Sequence, residues 1–175
     1  MPATFDRYFN SLIGMDVKNL RLVLGLAAFA IAIFLAQLWQ PARQVRLHQR
    51  HLLRAVEKRN WPAVGRFIGA EYRDRWGHDK ENLIGRTTEV FGQFLLCHLV
   101  GEERTLSVAG GTGIIAEKIT LGGTGSPLAD YAKERVNALT EPFTFKWVHR
   151  GWKPWEWQLI ECDHPRLEIE AGGGY

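Results

Sequence analysis

Residues 22–36 are fifteen consecutive apolar residues, and this run constrains the chain more than any other feature of the sequence. The charge-free segment around it covers residues 22–42, between Arg21 and Arg43. As a helix, that segment would be about 31 Å long, close to the hydrocarbon thickness of a bilayer. Trp39 lies near the end of this segment, and tryptophan is enriched at membrane–water interfaces. The run therefore predicts a single-pass transmembrane helix over residues 22–42.

Two other interpretations of the run are a buried core helix and a cleaved signal peptide. A core helix that is apolar on every face needs a comparable hydrophobic partner, and none follows in the sequence. A signal peptide carries its small-x-small cleavage site after the apolar run, whereas Ala28, Ala30 and Ala32 lie inside it. The residues before the apolar run of a signal peptide are positively charged, whereas residues 1–21 include the acidic Asp6 and Asp16. The membrane anchor is the prediction that these features favour.

The net charge of +3 hides an uneven distribution along the chain. Residues 40–60 contain six basic residues against Glu57 alone, whereas residues 61–175 contain thirteen basic and sixteen acidic residues. A nucleic-acid-binding protein carries its basic charge on the folded domain, so this balance argues against nucleic acid as a partner. We expect the basic stretch to contact anionic lipid headgroups, at about 1 kcal/mol per residue. The residues assigned to that membrane surface are Arg43, Arg46, Arg50 and Arg54.

The basic residues also bear on orientation. Three precede the apolar run and six follow it, so the positive-inside rule places the C-terminal domain in the cytoplasm. The alternative is a domain outside the cytoplasm, because the same arginines suit an amphipathic helix of the folded domain, over residues 42–59.

Hydrophobic periodicity predicts an α+β domain after the anchor. Residues 42–59 have helical spacing, Pro62 suits the first turn of a second short helix, and Asp79 suits the N-cap of a third. From about residue 96 the period changes to two, and four alternating runs predict an antiparallel sheet with one covered face. Gly-Gly-Thr-Gly occurs at 110–113 and again at 122–125; without a following Gly-Lys-Ser/Thr, both copies are interpreted as turns between strands.

The last part of the domain allows two interpretations. Residues 126–140 fit a helix at first and a strand later, and we predict a turn or short helix to residue 133 and then a strand to His149. Gly172 to Gly174 predict a flexible end. The predicted organisation is a tail over 1–21, a transmembrane helix over 22–42, an α+β domain over 43–169 and a flexible tail over 170–175.

Helices followed by long, strongly twisted antiparallel strands resemble the nuclear transport factor 2-like superfamily, the cone-shaped fold of polyketide-cyclase-like and ketosteroid-isomerase-like domains. The resemblance covers residues 42–169, and similar segments occur in bacterial members. Four segments carry it: LRAVEKRNW (53–61), EYRDRW (71–76), VNALTEPFTF (136–145) and WKPWEWQL (152–159). It implies a cone of about three helices packed on a four-stranded twisted antiparallel sheet, of the cystatin-like α+β type, in which enzymes keep a carboxylate or histidine. The anchor ahead of the domain also resembles, in architecture, inner-membrane assembly proteins of type IV secretion.

Within such a cone, Glu117 is the first candidate acid or base, because it lies between Ile115 and Ile119 on an apolar strand face. The alternative is an edge position or a salt bridge with Lys146. His98 is a candidate imidazole partner, with a core histidine as the alternative.

Other candidates are distributed along the domain. Tyr72, Asp74 and His78 are candidates for a pocket rim; alternatively, Asp74 pairs with an arginine while Tyr72 and a neighbouring tryptophan close the core. The candidate ligand-stacking residues, which also suit core or dimer packing, are Trp147, Trp155 and Trp157.

The cysteine and histidine content makes some chemistries unfavourable. Cys97 and Cys162 lie on different predicted strands, and two buried thiols are expected rather than a disulfide. Neither the cysteines nor the six histidines have metal-ligand spacing, so we predict no metal site and no cofactor.

These observations predict a membrane-anchored, non-catalytic binding or assembly module. The expected partners are the lipid bilayer, a protein partner or a second copy bound through the sheet, and a small hydrophobic ligand. The first alternative is a small-molecule isomerase, dehydratase or hydrolase with an acid/base site in the cone. The second is an assembly protein of a secretion complex, which requires the domain to lie outside the cytoplasm.

Reporter fusions after Tyr175 test the orientation. Because the basic residues favour the cytoplasmic side for the C-terminal domain, we expect a fused green fluorescent protein to be fluorescent and a fused alkaline phosphatase to be inactive in cells. Phosphatase activity at this position would contradict the cytoplasmic prediction.

Overall fold

The structure is a computed structural model that describes residues 17–167. The predicted tail at 170–175, including Gly172 to Gly174, lies outside the described residues, as does most of the predicted tail at 1–21. The chain divides into two compact units between Trp39 and Gln40. The described residues form five helices and one four-stranded antiparallel sheet, which confirms the α+β fold class.

The first unit contains helix α1, Val17–Leu38. Its 22 residues extend over about 33 Å, which matches the apolar thickness of a bilayer. The window Asn19–Ala36 has a mean hydropathy of 2.1, and none of it is buried within the protein. By length and composition, α1 is therefore long and apolar enough to cross a membrane.

A break separates α1 from the next helix. The predicted span ended at residue 42, but α1 ends at Leu38, because Gln40 is extended and Pro41 opens helix α2, Pro41–Glu57. Proline suits the first turn of a helix, where its missing N–H is not needed. The basic helix therefore starts anew and does not continue directly from the apolar one.

Helix α2 has one buried face, and two shorter helices follow it. Val45, Gln49 and Leu52 are buried at the three- and four-residue spacing of one helix side. Helix α3, Trp61–Phe67, is capped by the Asn60 side chain. Helix α4, Lys80–Gly92, is capped by the Asp79 carboxylate, which accepts a hydrogen bond from the Asn82 backbone N–H at 2.9 Å, as predicted.

Four consecutive strands form the sheet in the order β1-β2-β3-β4, each antiparallel to its neighbours. They are β1, Phe94–Ala109; β2, Thr112–Gly125; β3, Phe143–His149; and β4, Trp157–Asp163. One face packs against the helices and forms the core, as the alternation predicted. Its most buried residues include Ile115, Phe145, Trp147 and Leu159.

The two Gly-Gly-Thr-Gly segments adopt different structures. The first contains the β1–β2 turn, in which Gly110 and Gly111 have positive φ angles of 56° and 77°. The second, at 122–125, is the last part of β2 and pairs with β1, so its interpretation as a turn is wrong. The pairing shifts register at Phe94/Leu96, and the absence of a Cβ at Gly123 and Gly125 allows β1 to approach closely there.

Helix α5, Pro127–Ala138, corrects the prediction of a strand from residue 134 onwards. The Ser126 side chain caps its start. Near its end, the Asn137 side chain accepts a hydrogen bond from Leu121 N–H at 2.8 Å and donates one to Leu121 C=O at 2.9 Å. These two bonds fasten the last turn of α5 to β2. The folded unit consequently has four described helices where about three were predicted.

Gly123 provides a test of the close pairing of β1 and β2. A Cβ at this position would lie 2.0 Å from the Leu96 carbonyl oxygen, and its φ is 131°. We expect Gly123→Ala to lower the free energy of unfolding by about 3 kcal/mol through overpacking and backbone strain. Urea unfolding of the full chain in detergent, followed by tryptophan fluorescence, measures the effect.

Gly122→Ala is the matched control. A Cβ there would make only ordinary contacts, at 3.8 Å from His98 Cβ and from the His98 carbonyl oxygen. We expect it to cost less than about 1 kcal/mol. Equal losses in the two variants would contradict the close approach at Gly123.

Candidate functional site

A hydrogen-bonded chain of three buried side chains joins α2 to the sheet. The Gln49 amide nitrogen Nε2 donates to Glu117 Oε2 at 2.9 Å, and the Trp147 indole Nε1 donates to Gln49 Oε1 at 3.1 Å. An indole N–H can only donate, so it fixes the Gln49 oxygen on its own side and the amide nitrogen on the side of Glu117. Glu117 is only 5% exposed, between Ile115 and Ile119 on the covered face of β2.

Burial raises the pKa of the Glu117 carboxyl above its ordinary value. The hydrogen bond from Gln49 opposes that rise, the charge of Glu103 adds to it, and the charge of Arg50 opposes it. Desolvation is the largest cause, because it disfavours the charged form of a carboxyl group. Lys146, the predicted ion-pair partner, instead lies 3.4 Å from Glu161.

A pocket of about 260 Å³ lies beside Glu117, between α2 and the first two strands. Gly101 keeps part of it open, since a Cβ there would lie 2.8 Å from both Glu117 Oε2 and Leu53 Cδ1. The lining residues are Arg46, Arg50, Leu53, Arg54, Leu99, Gly101, Glu103 and Glu117. This pocket, which is partly open to solvent and contains one buried carboxyl group and three arginines, is the candidate functional site.

Three of the four arginines that were assigned to the membrane surface line this pocket, and Arg43 does not. Arg46 is engaged with Glu103 through two hydrogen bonds, from Nε at 2.7 Å and from Nη2 at 2.9 Å. This pairing raises the pKa of Arg46 and lowers the pKa of Glu103. Within the described residues, the guanidinium groups of Arg50 and Arg54 form neither a hydrogen bond nor an ion pair.

Tyr72, Asp74 and His78 come together in a separate buried cluster, and none of them lines the pocket. Asp74 accepts from the Tyr72 hydroxyl at 3.4 Å, contacts His78 Nδ1 at 3.0 Å, and accepts from the backbone N–H of Trp76 at 3.0 Å and of His78 at 2.8 Å. The partners of its carboxylate are thus a tyrosine and a histidine, not an arginine. Burial is the largest cause of the raised pKa of Tyr72, and the charge interaction with the nearby Cys162 is the second.

Of the three candidate stacking tryptophans, Trp155 and Trp157 line one cavity and Trp147 does not. Trp147 is fully buried and Trp157 is 4% exposed, so both belong to the core, whereas Trp155 is 59% exposed. Trp155 lines a second, larger cavity of about 540 Å³ on the surface. The other residues around that cavity are His48, Arg66, Phe67, Arg150, Glu156, Trp157 and Gln158.

The remaining candidates lie away from Glu117. His98 is an exposed side chain that contacts Glu57 Oε1 through Nδ1 at 3.1 Å, so it is not a core histidine. Cys97 and Cys162 are free thiols on the two edge strands of the sheet, too far apart in strand order to pair. Burial raises the pKa of the Cys162 thiol to about 12.

Gln49 and Gly101 contribute to the site and were not identified from the sequence. A signal for each exists. Gln49 is a polar residue on the otherwise apolar stripe of α2, where a buried amide needs hydrogen-bond partners. Gly101 interrupts an alternating strand, which indicates a close approach of another group.

Comparison with known proteins identifies the fold. No family profile and no curated protein match the sequence. Solved structures do match. A dehydratase candidate of the nuclear transport factor 2-like family from Streptomyces avermitilis has a TM-score of 0.52 and 13% identity, covering 70% of this chain and 93% of that one. A conserved protein from Planctomyces limnophilus has a TM-score of 0.52 and 12% identity, covering 67% and 89%.

The protein Bd1075 from Bdellovibrio bacteriovorus has a TM-score of 0.53 and 6% identity. It covers 69% of this chain, but the matched part is only 38% of its own length. Identities this low establish the fold alone. The folded unit is an α+β domain of helices on an open antiparallel sheet. Its fold is nuclear transport factor 2-like, as the resemblance predicted.

The raised pKa of Glu117 has a measurable consequence for stability. A carboxyl whose pKa is higher in the folded than in the unfolded state stabilises the fold fully below the ordinary value of 4.5. That contribution is lost as the pH rises through the folded-state pKa, at about 1.4 kcal/mol per pKa unit. We expect Glu117→Gln to be more stable than the wild type at neutral pH and to lose this advantage in acid, because the introduced amide cannot ionise and can still accept from Gln49.

Glu103→Gln is the control with the opposite sign. The pKa of Glu103 is lowered by Arg46, so its carboxylate stabilises the fold above the ordinary pKa, and the variant should be less stable than the wild type at neutral pH. Urea unfolding at about pH 4 and about pH 7 measures both variants. The same pH dependence in wild type and Glu117→Gln would show that Glu117 does not titrate abnormally.

Proposed function

We propose that the chain is a membrane-anchored, non-catalytic binding module that holds a small molecule in the pocket beside Glu117. The pocket carries this proposal. Its polar side chains are three arginines and two glutamates, and the lining residues include no hydroxyl, imidazole or thiol group. Of the two carboxyls, Glu103 is paired with Arg46 through two hydrogen bonds, and Glu117 is oriented by the Gln49 amide. Acid–base catalysis usually combines two proton-transferring groups in one site, whereas one carboxyl paired with an arginine and one oriented by an amide suit recognition.

The hydrogen-bond chain supports binding rather than turnover. Gln49 orients Glu117 and is itself oriented by Trp147, which is fully buried. Such a fixed carboxyl presents its remaining hydrogen-bonding capacity to the pocket with little loss of side-chain entropy, which favours affinity. The side chains of Leu53 and Leu99 add apolar wall on either side.

Helix α1 supports the anchor of the proposed module. Its apolar window is exposed along its whole length, and its length fits a bilayer. An exposed apolar helix of this size is unfavourable in water, so insertion into lipid is the state that buries its surface. The basic residues that follow in the sequence support a cytoplasmic position of the folded unit.

Native mass spectrometry of the full chain, released from detergent micelles after purification from cells, tests the binding proposal. We expect a small-molecule adduct on the wild type and its loss in Gly101→Val, because that side chain would occupy space next to Glu117 and Leu53. Gly122→Val is the matched control, since it places the same side chain on β2 away from the pocket. A wild type without an adduct, or an adduct retained in Gly101→Val, would refute a ligand in this pocket.

A small-molecule enzyme is the second candidate function, and the desolvated Glu117 favours it. A raised pKa brings a carboxyl closer to the range in which it can take up and return a proton near neutral pH. The arginines around it could stabilise negative charge that develops on a substrate. The name of the Streptomyces avermitilis structure, a dehydratase candidate of the same fold, is consistent with this alternative.

Deuterium exchange distinguishes the two functions. A general base that removes a carbon-bound proton introduces deuterium into its substrate when the full chain is incubated with a metabolite extract in heavy water. On our proposal, mass spectra of the extract show no incorporation beyond that of a Glu117→Gln sample. Incorporation that depends on Glu117 would establish the enzyme and refute the non-catalytic proposal.

A further inference from the structure

We infer that the pocket beside Glu117 binds a small organic monocarboxylate, whose carboxylate group is held by Arg50 and Arg54. This inference rests on the proposed binding function and adds the chemical class of the ligand. It depends on the charge of the lining, on the size and shape of the space, and on the position of Glu117.

The charge of the lining favours one negative charge. Arg46, Arg50 and Arg54 follow one another at four-residue spacing, so they lie along one side of α2. Arg46 is neutralised by its double hydrogen bond with Glu103. Arg50 and Arg54 have no such partner within the described residues, and guanidinium groups bind carboxylates in planar, two-bond geometry. Arg50 acts on Glu103 and Glu117 through its charge alone, so the three arginines and two glutamates of the lining leave a positive balance that an anion would neutralise.

The size and walls of the pocket favour a compact organic molecule. Its volume of about 260 Å³ lies just below the range of about 300–1,000 Å³ that is typical of small-molecule pockets, so a small molecule suits it. Leu53 and Leu99 also line the pocket and give it apolar surface. Gly101 leaves open the space that any side chain would fill. A short apolar body between two polar ends fits these walls.

Glu117 sets the second polar end of the ligand. Its Oε2 accepts from Gln49 and is also the atom next to Gly101, while its Oε1 forms no hydrogen bond within the described residues. The ionisable groups that line the pocket with it are Glu103 on β1 and the arginines on α2. Ionised, Glu117 accepts a hydrogen bond from a ligand hydroxyl; protonated, it donates one to a ligand oxygen. A second carboxylate at this end would be repelled by the charge of the buried Glu117, so the proposed ligand has a single carboxylate.

The probe that matches these features is 4-hydroxybenzoate, which has one carboxylate, a flat apolar body and a hydroxyl at the opposite end. Its methyl ester has nearly the same shape without the charge, and inorganic phosphate is an anion without the apolar body. Each is titrated calorimetrically into the full chain in lipid nanodiscs, with empty nanodiscs subtracted. We expect 4-hydroxybenzoate to bind more tightly than the ester and than phosphate.

Charge-neutralising variants locate the binding. The double variant Arg50→Gln/Arg54→Gln should bind 4-hydroxybenzoate at least about tenfold more weakly than the wild type, because each replacement removes one charge-assisted contact. Arg43→Gln with Lys58→Gln is the matched control, because both residues are exposed and do not line the pocket, and their replacement removes the same charge from the same stretch of chain. Affinity in that control should equal the wild-type value.

The outcomes separate this inference from the proposed function. Equal affinities for the acid and the ester, unaffected by the Arg50/Arg54 variant, would overturn the carboxylate inference and leave a binding pocket for neutral molecules. Tighter binding of phosphate than of 4-hydroxybenzoate, or no binding of 4-hydroxybenzoate in the millimolar range, would also overturn it. The proposed function itself is refuted separately, by a wild type that carries no adduct sensitive to Gly101→Val.

Discussion

The Gln49 side chain is the connection on which the rest of the folded unit depends. It joins the Glu117 carboxyl on β2 to the Trp147 indole on β3 from the buried side of α2. A buried carboxyl without a partner costs several kcal/mol, and a hydrogen bond to a charged group returns about 1.5–3 kcal/mol. The amide therefore makes it possible for the covered face of the sheet to contain a polar group at all. It also fixes the position of α2 over the first three strands, and so the place of the pocket.

The arginines of α2 lie in different surroundings that the sequence pattern did not distinguish. Their positions in the sequence, directly after an apolar helix, suggested contact with lipid headgroups, and Arg43 remains available for that contact as an exposed residue outside the pocket. Arg46, Arg50 and Arg54 instead share the helix side that faces the space beside Glu103 and Glu117. Charge counting along the chain cannot separate these roles, because it records neither which side of a helix a residue occupies nor what lies opposite.

Local patterns predicted the parts of the fold that local physics determines. The two-residue period placed Glu117 on the covered face of β2 together with Ile115, and Asp79 was identified as a helix cap because a carboxylate suits that position. The predictions were wrong where contacts between residues that are distant in the sequence determine the local structure. The second Gly-Gly-Thr-Gly segment is strand because β1 approaches it closely at Leu96. Residues 134–138 are helical because Asn137 bonds to Leu121.

The pocket could not have been predicted in the same way, since its lining comes from α2 and from two strands, and Gly101 is separated from Arg50 by about fifty positions in the sequence. Glu117 was identified because its residue type and its strand face are local properties. The sequence around Gln49 does not indicate that its partners are Glu117 and Trp147.

On the proposed binding function, the same geometry would couple the protonation of Glu117 to the occupancy of the pocket. An anion placed among the arginines would partly cancel the favourable effect of Arg50 on the ionised carboxyl, which now lowers the pKa of Glu117. The carboxyl would then take up a proton more readily when the ligand is bound, and by reciprocity its protonation would strengthen binding of the anion. In a protonated state the carboxyl also changes from an acceptor to a donor towards the pocket. On the proposed binding function, one buried carboxyl would therefore select its ligand by charge and by hydrogen bonding at once.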